Sequence, residues 1–222
     1  MGEIFLKELT KRKREQLERK ESIVSKAEEL FCKHGFEKVS MDNLAKECEF
    51  TKRTIYRYFT CKEDLFFAVA LRGYKRLFDM IKIESPKGNT GLEKIRLSYY
   101  VYYDYFCKSP EVVQLTNMCG VIKSNSEGMD IPYREKFTDL DKYLFEELIK
   151  MFHEGKTDGS IRSDLEISTL AFSSIFVATG FFQMLSLSGN TYTNYFGLDK
   201  EGFIKFTIEM LLDSLKHKQP SD

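Results

Sequence analysis

The chain has 222 residues, 34 Lys+Arg against 34 Asp+Glu, and 42% hydrophobic residues. That apolar share excludes a disordered chain, and the length fits one large domain or two small ones. Taken as a total, the zero net charge argues against a basic nucleic-acid binder, but it is a sum of unlike parts. Residues 1–76 hold 18 Lys+Arg and 13 Asp+Glu, a net +5, while residues 77–222 hold 16 and 21, a net −5. A basic front with an acidic rear would turn the front toward phosphate.

The five cysteines are widely spaced, with no C-x-x-C pair. Neither a zinc ribbon nor a dithiol redox site is supported, no metal or cofactor is expected, and reduced cytoplasmic thiols are the simplest reading. No secretory leader is read at Met1-Gly-Glu-Ile-Phe-Leu. His34, His153 and His217 are scattered, with no nucleophile–base spacing, so no catalytic residue and no enzyme activity are expected.

Periodicity predicts an almost entirely helical chain, with about nine helices. Residues 1–20 form a basic segment without an apolar stripe, read as a solvated arm or a helix extension; DNA contact by it stays open. Ile23, Ala27, Leu30, Phe31 and His34 share one face of a helix from Glu21 to His34, and Gly35 ends it. Ser40 caps a short helix carrying Met41, Leu44, Ala45 and Cys48 inward. After a turn at Glu49-Phe50, Thr51 caps a second short helix to Phe59, with Ile55 and Phe59 inward. Thr60 and Glu63 are spaced as a capping box for a helix to about Ile83.

Further helices are expected from Thr90 to Lys108, Pro110 to Lys123, Pro132 to Glu154, Leu165 to Leu187 and Asp199 to His217. Thr90–Glu93 and Ser163–Glu166 are spaced as two more capping boxes. The boundaries expected are 1–20 for the arm, 21–76 for a front domain and 77–222 for a rear domain.

Two short helices joined by a tight turn behind a packing helix make a helix-turn-helix, whose second helix fits the major groove. Directed by Ile55 and Phe59, that helix turns Arg53 and Arg57 outward, flanked by Lys52 and Tyr56 on one side and Thr54 and Tyr58 on the other. These side chains carry donors suited to base edges and phosphates. An ordinary solvated face is the alternative.

Here the chain resembles the TetR family of bacterial transcriptional regulators. The resemblance is carried by Ala27, Leu30, Phe31, Gly35 and Phe36, by Ser40-Met-Asp-Asn-Leu-Ala, and above all by Thr51-Lys-Arg-Thr-Ile-Tyr-Arg-Tyr-Phe-Thr-Cys-Lys-Glu-Asp-Leu65. A weaker likeness lies in Gly159-Ser-Ile-Arg-Ser-Asp164. The resemblance implies an all-α fold, with a three-helix DNA-binding front and a larger ligand-binding and dimerisation rear. It implies that Lys52, Arg53 and Tyr56 reach base edges. Ser40, Thr54, Tyr58 and Lys62 would hold phosphates, and Arg57 could serve either role. Glu49 departs from the family, which favours a small residue in that turn; the turn often needs a left-handed backbone.

Behind the front, no charge occurs from Ile167 to Leu198. A membrane span would need about 20 predominantly apolar residues, but serines and threonines interrupt this run, and no membrane association is expected. A core helix or a subunit contact fits better. The homodimer that the resemblance implies would use Ala171, Ser174, Ala178, Phe182, Phe206 and Met210. Six aromatics lie between Tyr99 and Phe106. They serve either as core or as a pocket for an apolar or cationic effector, with Tyr99, Tyr103, Asp104, Phe172, Phe176 and Met184 as candidate lining. The function expected is an effector-released repressor binding a palindromic double-stranded operator as a dimer. The alternative is a helical small-molecule binder whose front domain is an assembly module.

Overall fold

The computed structural model describes residues 10–216. Helix α1 runs Lys11–His34, so from Lys11 the basic segment is an extension of the first helix; residues 1–9 of the arm lie outside the described residues. The α1 core face is Ile23, Val24, Ala27, Leu30 and Phe31, all buried. Gly35 ends it at φ +81°, a left-handed conformation that costs glycine little, and its N–H bonds the Phe31 carbonyl at 2.9 Å. Helix α2 (Met41–Glu47) and helix α3 (Lys52–Tyr56) follow, both with the caps expected: Ser40 Oγ accepts the Asn43 N–H at 3.1 Å and Thr51 Oγ1 the Thr54 N–H at 3.2 Å.

Helix α4 (Lys62–Glu84) starts one residue later than the Thr60–Glu63 box implies. Cys61 Sγ accepts the Asp64 N–H at 3.4 Å, and the buried Asp64 carboxylate reaches back to the Thr60 N–H at 3.0 Å. Helix α5 spans Gly91–Lys108. Half of its box forms: the Glu93 N–H bonds Thr90 Oγ1 at 3.2 Å, while the Glu93 carboxylate reaches past the cap to the Asn89 N–H at 2.7 Å. The expected 110–123 helix is two, α6 (Pro110–Thr116) and α7 (Cys119–Asn125), separated by a turn. Helix α8 is Pro132–Thr157 and helix α9 is Ile167–Met184. The α9 cap is Glu166, which accepts the Thr169 N–H at 2.8 Å; Ser163 does not cap it, and Asp164 is instead paired with Arg162 at 2.6 Å. A π turn at Leu185–Gly189 carries α9 into α10 (Asn190–Tyr195), beyond the end expected at Leu187. Ser186 and Ser188 bond back to the carbonyls of Gln183 and Met184 there, which suits a distorted but unbroken helix. Asp199 caps α11 (Lys200–Leu215) through the Gly202 N–H at 2.8 Å; His217, its expected end, lies outside the described residues. Counting α6 with α7 and α9 with α10 gives nine helices among the described residues.

Two compact units result. The first takes the chain up to Arg72 together with Cys119–Phe137, and the second takes Gly73–Met118 together with Thr138 onward. This differs from a single cut near residue 76, because the front gathers a later segment. Phe31, Phe36, Phe66 and Phe67 form the first unit's aromatic core, which Phe137 joins. In the second, α5 docks on the end of α8, the Gly91 N–H bonding Asp158 at 2.7 Å. A Cβ at Gly91 would collide with the Gly155 backbone, so only glycine permits the approach.

Candidate nucleic-acid interface and ligand cavity

In the first unit the turn between α2 and α3 passes through Glu49 at φ +56°, the only described non-glycine residue with positive φ. The turn closes as the Phe50 N–H bonds the Ala45 carbonyl at 2.9 Å. Ile55 and Phe59 are fully buried beneath α3, which turns Lys52, Arg53, Tyr56 and Arg57 to solvent; Tyr56 is 45% exposed. Among the described residues the side chains of Arg53, Tyr56 and Arg57 make no hydrogen bond or ion pair, so their donors are available. Thr54 and Tyr58 are half-buried at the flank, and Ser40 is exposed but spends its oxygen as the α2 cap.

Two side chains are engaged in ways the sequence did not show. Lys52 bridges to Asp42 of α2 at 2.8 Å, which holds its ammonium above the usual lysine range through that hydrogen bond. Both partners are well exposed, so the pair is weak enough to exchange for a phosphate. Lys62 folds back onto the front core: Nζ donates to the Phe36 carbonyl at 3.1 Å and lies 4.1 Å from the Phe36 ring centre. Here Lys62 clasps the start of α4 to the residue after Gly35, and a phosphate would compete with the carbonyl and the ring for its ammonium.

The second unit contains a cavity of about 540 Å³ walled by α4, α5, α8 and α9. Of the candidate lining residues, Tyr99, Phe172 and Phe176 border this cavity, whereas Tyr103, Asp104 and Met184 do not. Ser98, Tyr99, Tyr102 and Tyr105 form the α5 face toward the cavity; Asp104 lies on the opposite side of that helix, exposed, and Met184 is exposed. Tyr103 stacks near Phe182, and its phenol is pushed up to about 12, mainly by burial and then by Cys107. The walls the sequence reading missed are Leu77, Phe78 and Ile81 of α4 and Leu144, Phe145 and Leu148 of α8, both apolar at helical spacing. The charges at the cavity are Asp141, Lys142 and Glu147, all on α8.

The subunit-contact expectation is redistributed. Ala171, Ser174, Ala178 and Phe182 are buried within the unit; Phe182 sits among Tyr102, Phe106 and Phe181. These four are corrected to core residues. The open face of α9 and α10 is instead Phe172, Phe176, Met184, Leu187 and Tyr195, with Phe206 (68% exposed) and Met210 (53%) open on α11.

A helix-turn-helix with an outward basic helix, followed by a cavity-bearing helical unit, is the architecture of a DNA-binding regulator. Residues 23–69 match the family model for bacterial regulatory proteins of the tetR family. The HTH-type transcriptional repressor AcnR of Corynebacterium diphtheriae is 19% identical over 203 residues, 91% of this chain and 94% of that protein. The uncharacterized HTH-type transcriptional regulator YuxN of Bacillus subtilis is 25% identical over 127 residues, 57% of this chain; the chain spans only 40% of that relative. Among solved structures, AibR in complex with isovaleryl coenzyme A and operator DNA superposes with a TM-score of 0.66 at 20% identity, covering 87% of this chain and 98% of that one; this likeness shows the fold. Residues 23–69 thus carry a DNA-binding domain that matches the tetR family of bacterial regulatory proteins, and the rest of the chain shares the fold of such regulators.

Proposed function

We propose that the protein is a cytoplasmic repressor that binds a near-palindromic operator as a homodimer and is released by a small molecule. The observation that carries the reading is the α3 face, where Arg53, Tyr56 and Arg57 stand unengaged on a helix fixed by the Glu49 turn. Lys52, Arg53 and Tyr56 would read bases. Ser40, Thr54, Arg57 and Tyr58 would position phosphates, Ser40 through a hydroxyl still able to donate while it caps α2. The uncharged α9–α10 face with Phe206 and Met210 supports a twofold subunit contact, since a patch without charge can meet its own copy without repulsion. That face is also long and apolar enough to suit a membrane by length and composition; its polar residues and its buried opposite side favour the subunit contact. The relative crystallised with an acyl-coenzyme A and operator DNA supports an effector in the cavity. The effector would act by binding two states of the protein unequally.

Selection of bound duplexes from a random pool with the full chain tests this. An inverted repeat with half-sites about one helical turn apart is expected. A pool that stays random contradicts it and favours the assembly-module alternative.

A further inference from the structure

We infer that the cavity selects an uncharged, largely apolar molecule presenting a hydrogen-bond acceptor to the phenols of Tyr99 and Tyr102. This rests on the cavity being the effector site, and it names the chemistry of what enters.

Four hydroxyls line the α5 wall, and two are already used. Ser98 Oγ donates to the Lys94 carbonyl at 2.9 Å and Tyr105 Oη to the Gly73 carbonyl at 3.1 Å. The Tyr99 hydroxyl is tied to no described residue, although Tyr99 is only 8% exposed. Tyr102 lies beside the buried Asn117 Nδ2, which has no other partner and can only donate to the phenol oxygen, so the Tyr102 O–H itself stays unspent. Buried polar groups are normally satisfied, so unspent donors beside a cavity mark where a ligand's polar atom belongs. Burial pushes both phenols upward, so each keeps its proton and offers an O–H rather than an anion.

The lining also argues against a charged ligand. Asp141 and Lys142 are adjacent, exposed and opposite in sign, and Glu147 is paired with Lys150 at 2.5 Å. The remaining walls are apolar or hydroxylic, and a charge left there would lack a counter-ion. A volume of about 540 Å³ suits one small molecule.

The test is displacement of Nile red from the full chain by four probes of matched length: methyl decanoate, n-undecane, decanoate and decyltrimethylammonium. The ester is expected to displace the dye at roughly tenfold lower concentration than the alkane, the worth of one good buried hydrogen bond, and to surpass both ions. In a Tyr99→Phe, Tyr102→Phe double variant, with its fold checked by circular dichroism, the ester's advantage is expected to shrink to about twofold while the alkane is unchanged. Equal displacement by ester and alkane, a better result for either ion, or an undiminished ester advantage in the variant would overturn the inference and leave the effector site standing. Failure of Nile red and all four probes to bind would overturn the effector site itself, and this inference with it.

Discussion

The Asp64 carboxylate accepts the Tyr133 backbone N–H at 2.8 Å through one oxygen and the Thr60 N–H at 3.0 Å through the other. One buried side chain thus caps the first turns of α4 and α8, where the helix dipoles favour its negative charge. Asp64→Asn keeps the shape but turns an amide toward one of those N–H groups. It is expected to lower unfolding free energy by about 2–4 kcal/mol, measured by denaturant titration. A loss under about 0.5 kcal/mol, the level of an ordinary surface change, would contradict this role.

Glu49 holds a left-handed backbone with a side chain that gains nothing from it. Glu49→Gly removes the steric cost but adds chain entropy to the unfolded state. A net gain of up to about 1 kcal/mol is expected in thermal unfolding. Loss of a carboxylate beside α3 should also raise DNA affinity a few-fold at low salt, and this gain should fade as salt screens it. A destabilised variant would show that the turn draws support from Glu49 itself.

These two residues also show how much the sequence disclosed. The helix-turn-helix is legible because it is written locally: Ser40 and Thr51 as caps, Ile55 and Phe59 as the inward pair, Glu49 at a backbone-restricted position. Asp64 was passed over for its neighbour Glu63, because the helix start depends on Tyr133, 69 residues away, and no local pattern records that partner. The clasp of Lys62 on Phe36 is hidden for the same reason, its partner lying 26 residues away. In the rear, composition disclosed an apolar helix, but Phe182 and Phe176 look alike in sequence. Only packing against Tyr102 and Phe106 makes one the core and leaves the other open.

The α9 cap gives a pH signature. Hydrogen bonds from the Ser168 side chain, then from the Ser168 and Thr169 backbone, hold the Glu166 carboxyl down to about 2, from an ordinary 4.5. A depressed acid contributes stability that is fully present above its unfolded value and lost as pH falls toward its folded one. The loss therefore falls between about 4.5 and about 2. Asp164, held at about 2 by Arg162, adds to the same acid limb. Glu166→Gln should flatten part of that limb in thermal melts taken across the window; an unchanged slope would remove Glu166 from the account.

The open face of α11 predicts oligomeric behaviour. Phe206→Glu, or Met210→Glu as a second choice, places a charge opposite its own copy across a twofold contact. Sedimentation should show monomers with circular dichroism unchanged, and binding to a palindromic duplex should fall by tenfold or more, as paired sites lose their effective concentration. Dimers that persist in both variants would move the contact elsewhere.

The central claim is that α3 reads sequence. Its most direct measurement is the affinity of Arg53→Ala for the selected duplex and for a scrambled one, at fixed salt. The account predicts a loss of about 1–3 kcal/mol on the selected duplex and little change on the scrambled one. Equal losses on both would make Arg53 a phosphate contact and contradict the reading of α3 as the recognition helix.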